Sequence, residues 1–393
     1  MRPYFIAASL FYLLAMLLLF TLDIAMPLRD FSLAAWTHAY MIGFVMLSFV
    51  AALAQLSPVV VEANHRYEGF FHIIWIFLVV GVCMLLAGFY AVPALLRFGG
   101  VTILVAMTFF AVTLFITLGS ARRKTAVTAS MRASTLFLLV GVLSGLATAF
   151  GYSGADIGID AFYGAHTAAL LGGFVMLITM GITTVLVPMF ATAKRVGDND
   201  YYRSYKSMLY GVSLAIAAAL TQAAWLALFA KIFILFGVGE YIFRFYTMLT
   251  NRARVEHDIW AKHIYIAFLS LATAYLFFIL SLFGIETLFR ASLWLFLVGF
   301  VGFLIIGNYY KIIPFLLWFE FYAPYVGERD VPMLHEMVDA RLARLQFAFS
   351  AVGLLFSSVA LLIGNESLFR VGASGLSMGA ILLFIAILKI FKA

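Results

Sequence analysis

Gly-Phe-Val occurs three times in this chain, each time with a proline fifteen residues after the glycine. Gly43-Phe44-Val45 leads to Pro58, Gly173-Phe174-Val175 to Pro188, and Gly299-Phe300-Val301 to Pro314. The phrases begin 130 and 126 residues apart in a chain of 393 residues, so the period is one third of the whole. The seventh residue after each phenylalanine is also small: Ala51, Gly181 and Gly307. Fifteen residues of helix rise about 22 Å, most of a membrane crossing. Self-similarity at a fixed period sets the architecture before any local reading. Here it predicts three pseudo-symmetric copies of one helical unit, about 1–130, 131–257 and 258–393.

The solvent these copies imply is a bilayer. Charged residues are 11% of the chain and apolar residues 65%, with a mean hydropathy of +1.08; a soluble domain carries roughly 25% charged residues. A crossing needs about 20 apolar residues, and twelve stretches qualify, near 3–26, 33–59, 70–93, 99–119, 133–152, 163–190, 208–229, 231–250, 260–283, 289–310, 342–363 and 368–390. Twelve spans over three copies give four helices per copy, and the phrase falls on the second helix each time. The expected fold is therefore a single all-α integral membrane domain over 1–393, of about 12 transmembrane helices in three four-helix repeats. The first span reads as a retained helix, because its apolar run is longer than the roughly 7–15 residues of a signal-peptide core. One cysteine, Cys83, excludes an intrachain disulfide. The longest interruption, about 315–341, holds Trp318, Phe319, Phe321, Tyr322 and Tyr325 and reads as a segment lying along the membrane surface.

Lysine and arginine placement orients the chain. With the N-terminus inside, the inner loops and span ends hold nineteen basic residues, among them Arg66, Arg122, Arg123, Lys124, Arg195, Arg254 and Lys262. The outer side holds five: Arg29, Arg97, Lys231, Arg290 and Arg370. That bias puts both termini in the cytoplasm of a bacterial cell, with the chain in its inner membrane. The net charge of +7 is then a topology signal, and no nucleic-acid partner is implied.

An ionisable residue within a span is costly and by default a functional candidate. His65, His257 and His335 fall in or beside loops; His38, His72, His166 and His263 fall within spans. His38 and His166 stand five and seven residues before their Gly-Phe-Val glycines, near the outer ends of equivalent helices. Neutral imidazole ligates haem iron and copper, so these two are the candidate cofactor and metal ligands, able to bind one group or to flank one pocket. The alternative is a hydrogen bond to a backbone carbonyl and no chemistry. His72 and His263, near inner span ends, read as interfacial anchors. Glu240 and Arg244 lie four apart on one face of the eighth span, close to the midplane by this topology. They form either a neutralised structural pair or the carboxylate of a polar path. Gln55, Gln222, Asn308 and Gln346 are expected to hydrogen-bond between helices.

Twelve spans in three four-helix arcs, with histidine on the second helix of an arc, resemble the haem–copper oxidase catalytic subunit. The nearer likeness is to its stand-alone relatives, including the NnrS-type membrane proteins. Trp36-Thr37-His38 leading into Gly43-Phe44 is similar to the haem-ligand helix, and Gly164-Ala165-His166 into Gly173-Phe174 to the sixth helix. The run from Gly307 to Trp318 resembles the end of the tenth helix in the stand-alone group. The resemblance implies a haem, b-type among the options, or a copper, held by His38 and His166. It breaks where an oxidase carries its reactive centre. The repeat puts Ser292 opposite His166 and Trp294 opposite His38, where the family has a His-x-His pair, and the seventh span has no histidine for copper. Oxygen reduction by this chain alone is therefore not expected, and no catalytic residue is assigned.

The function this implies is a haem- or copper-binding membrane protein of respiratory or nitrosative-stress physiology, engaged in electron transfer or cofactor handling. Its partners would be the lipid bilayer and other respiratory-complex subunits or a second copy of itself. The alternative is a cofactor-free transporter or structural subunit, with Glu240 and Arg244 marking a polar path.

Overall fold

A computed structural model describes residues 1–62, 68–253 and 257–392. His65, Arg66 and Arg254 lie outside the described residues. The regular structure among the described residues is helical, in twelve long helices. These are α1 (Arg2–Leu18), α2 (Phe31–Pro58), α3 (Phe71–Tyr90), α4 (Leu95–Gly119), α5 (Ala126–Tyr152), α6 (Ile159–Ala191), α7 (Asp198–Thr221), α8 (Ala224–Thr250), α9 (Ile259–Ser281), α10 (Glu286–Phe321), α11 (Ala340–Ile363) and α12 (Glu366–Ile390). Eleven of them are long and apolar enough to cross a membrane. The exception is α7, whose first turns carry Asp198, Asp200, Arg203 and Lys206. Large apolar side chains such as Phe98, Leu136, Trp225, Leu228, Leu269 and Ile363 are more than half exposed. Water would penalise that surface and lipid does not. The chain is a multi-pass membrane protein.

The helices form two compact units: Met1–Phe49 with Glu256–Ala393, and Val50–Val255. In the first, α1 packs on α2 and α12, α9 on α10, and α11 on α12. The Arg2 guanidinium donates to Phe391 O at 2.7 Å, so the start of α1 and the end of α12 meet. At the other end of α1, Arg370 donates to Leu19 O and Leu22 O at 2.8 and 2.6 Å. These carbonyls lie at a helix C-terminus, where a cation is favoured. In the second unit α3 packs on α4, α4 on α5, α5 on α6, and α7 on α8.

The hairpins α3–α4, α7–α8 and α11–α12 are all extensively packed. Each is closed by glycine. An added Cβ would lie 2.6 Å from Ile103 at Gly81, 2.7 Å from Ile234 at Gly211, and 2.5 Å from the Leu376 backbone at Gly353. Small residues let helix backbones approach closely in lipid, where no hydrophobic force drives the helices together.

The three Gly-Phe-Val phrases share a conformation that the spacing alone does not specify. Each lies in a π-helical segment: Ala39–Met46 in α2, Ala168–Met176 in α6 and Leu295–Gly302 in α10. Such segments are rare, and they gather at functional sites. In every case the preceding helix covers the phrase glycine with a side chain: Phe11 on Gly43, Phe137 on Gly173, and Ser270 on Gly299.

Several helix limits differ from the hydropathy reading. The turn expected at about 230 lies at Gln222–Ala223, because Gln222 adopts the left-handed conformation (φ 57°) and ends α7. The apolar run through that turn hides it from hydropathy. Gln222 donates to Ala219 O in its own helix, not to another helix. The tenth span continues to Phe321, since Lys311 is neutralised by Asp258 at 2.7 Å and Pro314 is accommodated within the helix. The irregular segment shrinks to 322–339.

Asp339 caps α11 by accepting from Arg341 N and Leu342 N. The Lys389 ammonium bonded to it, together with these amides, holds its carboxyl below the usual carboxylate range. A depressed acid contributes stability above its unfolded value and loses it as pH falls. Asp339→Asn keeps the cap and removes the charge, so its thermal-unfolding deficit at pH 7 should vanish below about pH 4. Gly43→Ala and Gly173→Ala force a Cβ to within 2.5 Å of Phe11 and Phe137. Each should lower stability in detergent by about 1–3 kcal/mol. Gly119→Ala, whose nearest neighbour would be 3.8 Å away, should be neutral.

Candidate functional site

His38 is the last residue of α2 before the π segment. Asp30 starts the helix by accepting from Ser32 N at 2.7 Å. The half-buried His38 ring has Nδ1 2.7 Å from Ala34 O. A carbonyl only accepts, so Nδ1 carries the proton and Nε2 carries the lone pair. That is the arrangement of metal-ligating histidines, whose other nitrogen donates to a carbonyl or carboxylate.

Trp36 lies two residues away and therefore on another side of the helix. It is buried between Tyr40 at 5.6 Å and Trp294 at 5.7 Å, both stacked, and its Nε1 has no hydrogen-bond partner. Trp294 Nε1 donates to Ser357 Oγ at 3.0 Å. Tyr40 donates to Leu297 O at 2.9 Å, a carbonyl inside the π segment of α10. Tyr309 and Ser48 Oγ are bonded about two turns further along α2.

His166 belongs to the other unit and stands two residues before the π segment of α6. Its Nδ1 is 2.8 Å from Gly141 O on α5, which again assigns the lone pair to Nε2. The ring occupies space that only glycine provides, since a Cβ at Gly145 would be 2.5 Å from Nδ1. Gly141 and Gly145 form a small-xxx-small pair on α5, a sequence signal that the search for ligands passed over. His38 and His166 thus have matching local geometry, each within its own unit.

His263 is not an interfacial anchor. It is completely buried, with Nδ1 donating to Ile259 O at 2.8 Å and Nε2 3.1 Å from the Gln346 side-chain amide. Tyr310 Oη and Ser350 Oγ complete the bonds of Gln346, at 3.1 and 3.0 Å. A Cβ at Gly307 would collide with His263 Cβ at 2.7 Å, so the small residue after the third phrase makes room for this ring. Gln346 and Asn308 do bridge helices, the latter accepting from Trp260 Nε1 at 3.2 Å. His72, His257 and His335 are exposed.

Glu240 and Arg244 are 3.5 Å apart, and Arg244 also reaches Asp200 at 3.2 Å, in the first turn of α7. Asp200 in turn binds Arg203 at 3.2 Å. The pair is therefore the inner half of a four-residue chain that begins at a helix end, and Arg244 stands nearer that end than the midplane. Side-chain exposure falls along it, from 57% at Arg203 to 18% at Arg244 and 24% at Glu240. Asp200 on α7 sits 44 positions from its partner Arg244, too far for a helix-face rule to find. Because Arg244 keeps Asp200 when Glu240 is lost, Glu240→Leu should cost less than Arg244→Leu. The latter should cost about 1–3 kcal/mol, between exposed and buried pairs, measured by thermal unfolding in detergent.

Among the described residues, no three or more His, Cys, Asp or Glu side chains gather in a way that could hold a metal ion. A copper centre of that kind has no donor set among them. A haem needs one imidazole lone pair per axial position, which the tautomers of His38 and His166 supply. The donor chemistry thus fits haem better than copper. The chain matches no protein-family model, and no curated protein matches it.

Proposed function

We propose that this chain is a haem-binding protein of the bacterial inner membrane, built as three four-helix copies and related to the stand-alone members of the haem–copper oxidase superfamily. The observation that carries the reading is the shared setting of its two histidines. His38 directly precedes a π segment and His166 stands two residues before one, each on the second helix of a copy, and each has Nδ1 engaged by a backbone carbonyl. The matching π segments, glycine contacts and hairpins support the three copies, and the adjacent chain ends fit an even number of crossings, with α7 as the twelfth.

His38 Nε2 is the first-choice axial donor and His166 Nε2 the second. Ala34 O and Gly141 O fix the two rings in the ligating tautomer. A haem so held supplies one-electron chemistry, which places the protein in respiratory electron transfer, cofactor handling or nitrosative-stress physiology. The nineteen-to-five bias of basic residues supports cytoplasmic termini.

The chain Arg203–Asp200–Arg244–Glu240 favours one second reading, a cofactor-free transporter or subunit that carries polar cargo past these charges. An absorption spectrum of the purified protein separates the two. The haem reading expects a Soret band and reducible α-bands. His38→Ala should shift or remove them while the protein stays folded, and the exposed His335→Ala should leave them unchanged. A featureless visible spectrum in protein purified from haem-replete cells would dispose of it.

A further inference from the structure

We propose that the α7–α8 hairpin binds an anionic phospholipid, with an acyl chain in the groove between the helices and the phosphate on Lys231. The groove has a volume of about 370 Å³, within the roughly 300–1,000 Å³ of small-ligand sites. Its walls are methyl groups. Ala215, Ala218 and Ala219 line it from α7, at i, i+3 and i+4; Ala224, Ala227 and Ala230 line it from α8. Facing methyls are too short to fill the space between two helices, so the gap stays open toward the hairpin tip. Further down it is closed, because Gly211 receives Ile234 and Gly237 receives Met208.

The dimensions match one leaflet. From Ala223 to Ile234, both lining residues, α8 rises about 16 Å, half of a hydrocarbon core of about 30 Å. Trp225, 64% exposed at the start of α8, marks the headgroup level where tryptophan concentrates. Lys231 enters the groove about 9 Å deeper, on the helix face of Ala224 and Ala227. Its side chain leans toward the helix N-terminus, so it extends back toward the headgroups. Lys231 is exposed and forms no ion pair with any described residue. Around it α8 exposes Leu228, Phe229 and Ile232. A lone ammonium at leaflet depth beside an apolar slot is complementary to a molecule with one anionic group and a long chain, and the surrounding bilayer supplies one. This site is independent of the haem reading.

The test titrates the full-length protein in neutral detergent with phosphatidylglycerol while thermal unfolding is followed. The unfolding temperature should rise with the logarithm of lipid concentration, and phosphatidylcholine should leave it unchanged. Lys231→Gln should move the titration to roughly tenfold higher lipid or beyond, the loss expected for one charge-assisted hydrogen bond. Ala227→Phe, which fills the slot, should abolish the response at wild-type helicity; if that variant misfolds, Lys231→Gln alone decides. An unchanged titration in Lys231→Gln would overturn the proposal. So would equal stabilisation by phosphatidylcholine, or by inorganic phosphate, which would show a chainless anion site.

Discussion

In hydrocarbon every peptide N–H and C=O has to be satisfied by the protein itself, and this requirement governs the rest of the structure. It makes every span a helix. It also restricts departures from the α-helical ladder to places where the freed groups find partners. A π segment displaces carbonyls from their usual partners, and two hydroxyls answer it here. Tyr40 donates to Leu297 O within the π segment of α10, and Ser48 Oγ donates to Phe44 O within that of α2. Gly302 has to be small for the first of these contacts, because a Cβ there would sit 2.6 Å from the Tyr40 oxygen. The tyrosine, the glycine and the π segment form one arrangement.

The same requirement fixes the histidines. An imidazole within a span has two nitrogens to satisfy, and a backbone carbonyl one turn back or on the adjacent helix takes one of them. For His38 that carbonyl is on its own helix; for His166 it is on α5, exposed by the absence of side chains at Gly141 and Gly145. His263 has Nδ1 2.8 Å from Ile259 O on its own helix and Nε2 3.1 Å from Gln346 Oε1 on α11. These three span histidines therefore differ in where their partners lie: on the same helix, on the adjacent helix, or on both.

The long apolar helices were legible in the sequence because apolar runs are local signals. What escaped was set by contacts between distant residues. Hydropathy could not see the break at Gln222, since Ala223 and Ala224 continue the apolar run while the backbone turns. It ended α10 too early at Lys311, a charge that Asp258 neutralises from 53 positions away. It put His263 at an interface because nothing near it in sequence announces Gln346. The π conformation lay within the phrase but not in its spacing, which measures only where the glycine and proline fall. Of the candidate site, the sequence named His38 and His166 as candidates; the tautomer, the glycine cleft at His166 and the link from Arg244 to Asp200 were not readable.

On the three-copy reading, the third copy shows what happens when a ligand position is given to packing. Trp294 immediately precedes its π segment, the place His38 holds in the first copy, and it stacks on Trp36 while donating to Ser357. An indole offers a donor and a broad apolar face but no lone pair for a metal. An aromatic layer, Trp294 on Trp36 on Tyr40, holds α10 against α2. Tyr40 then hooks the π segment of α10 through Leu297 O. Residues of α10 thus steady the part of α2 that carries His38.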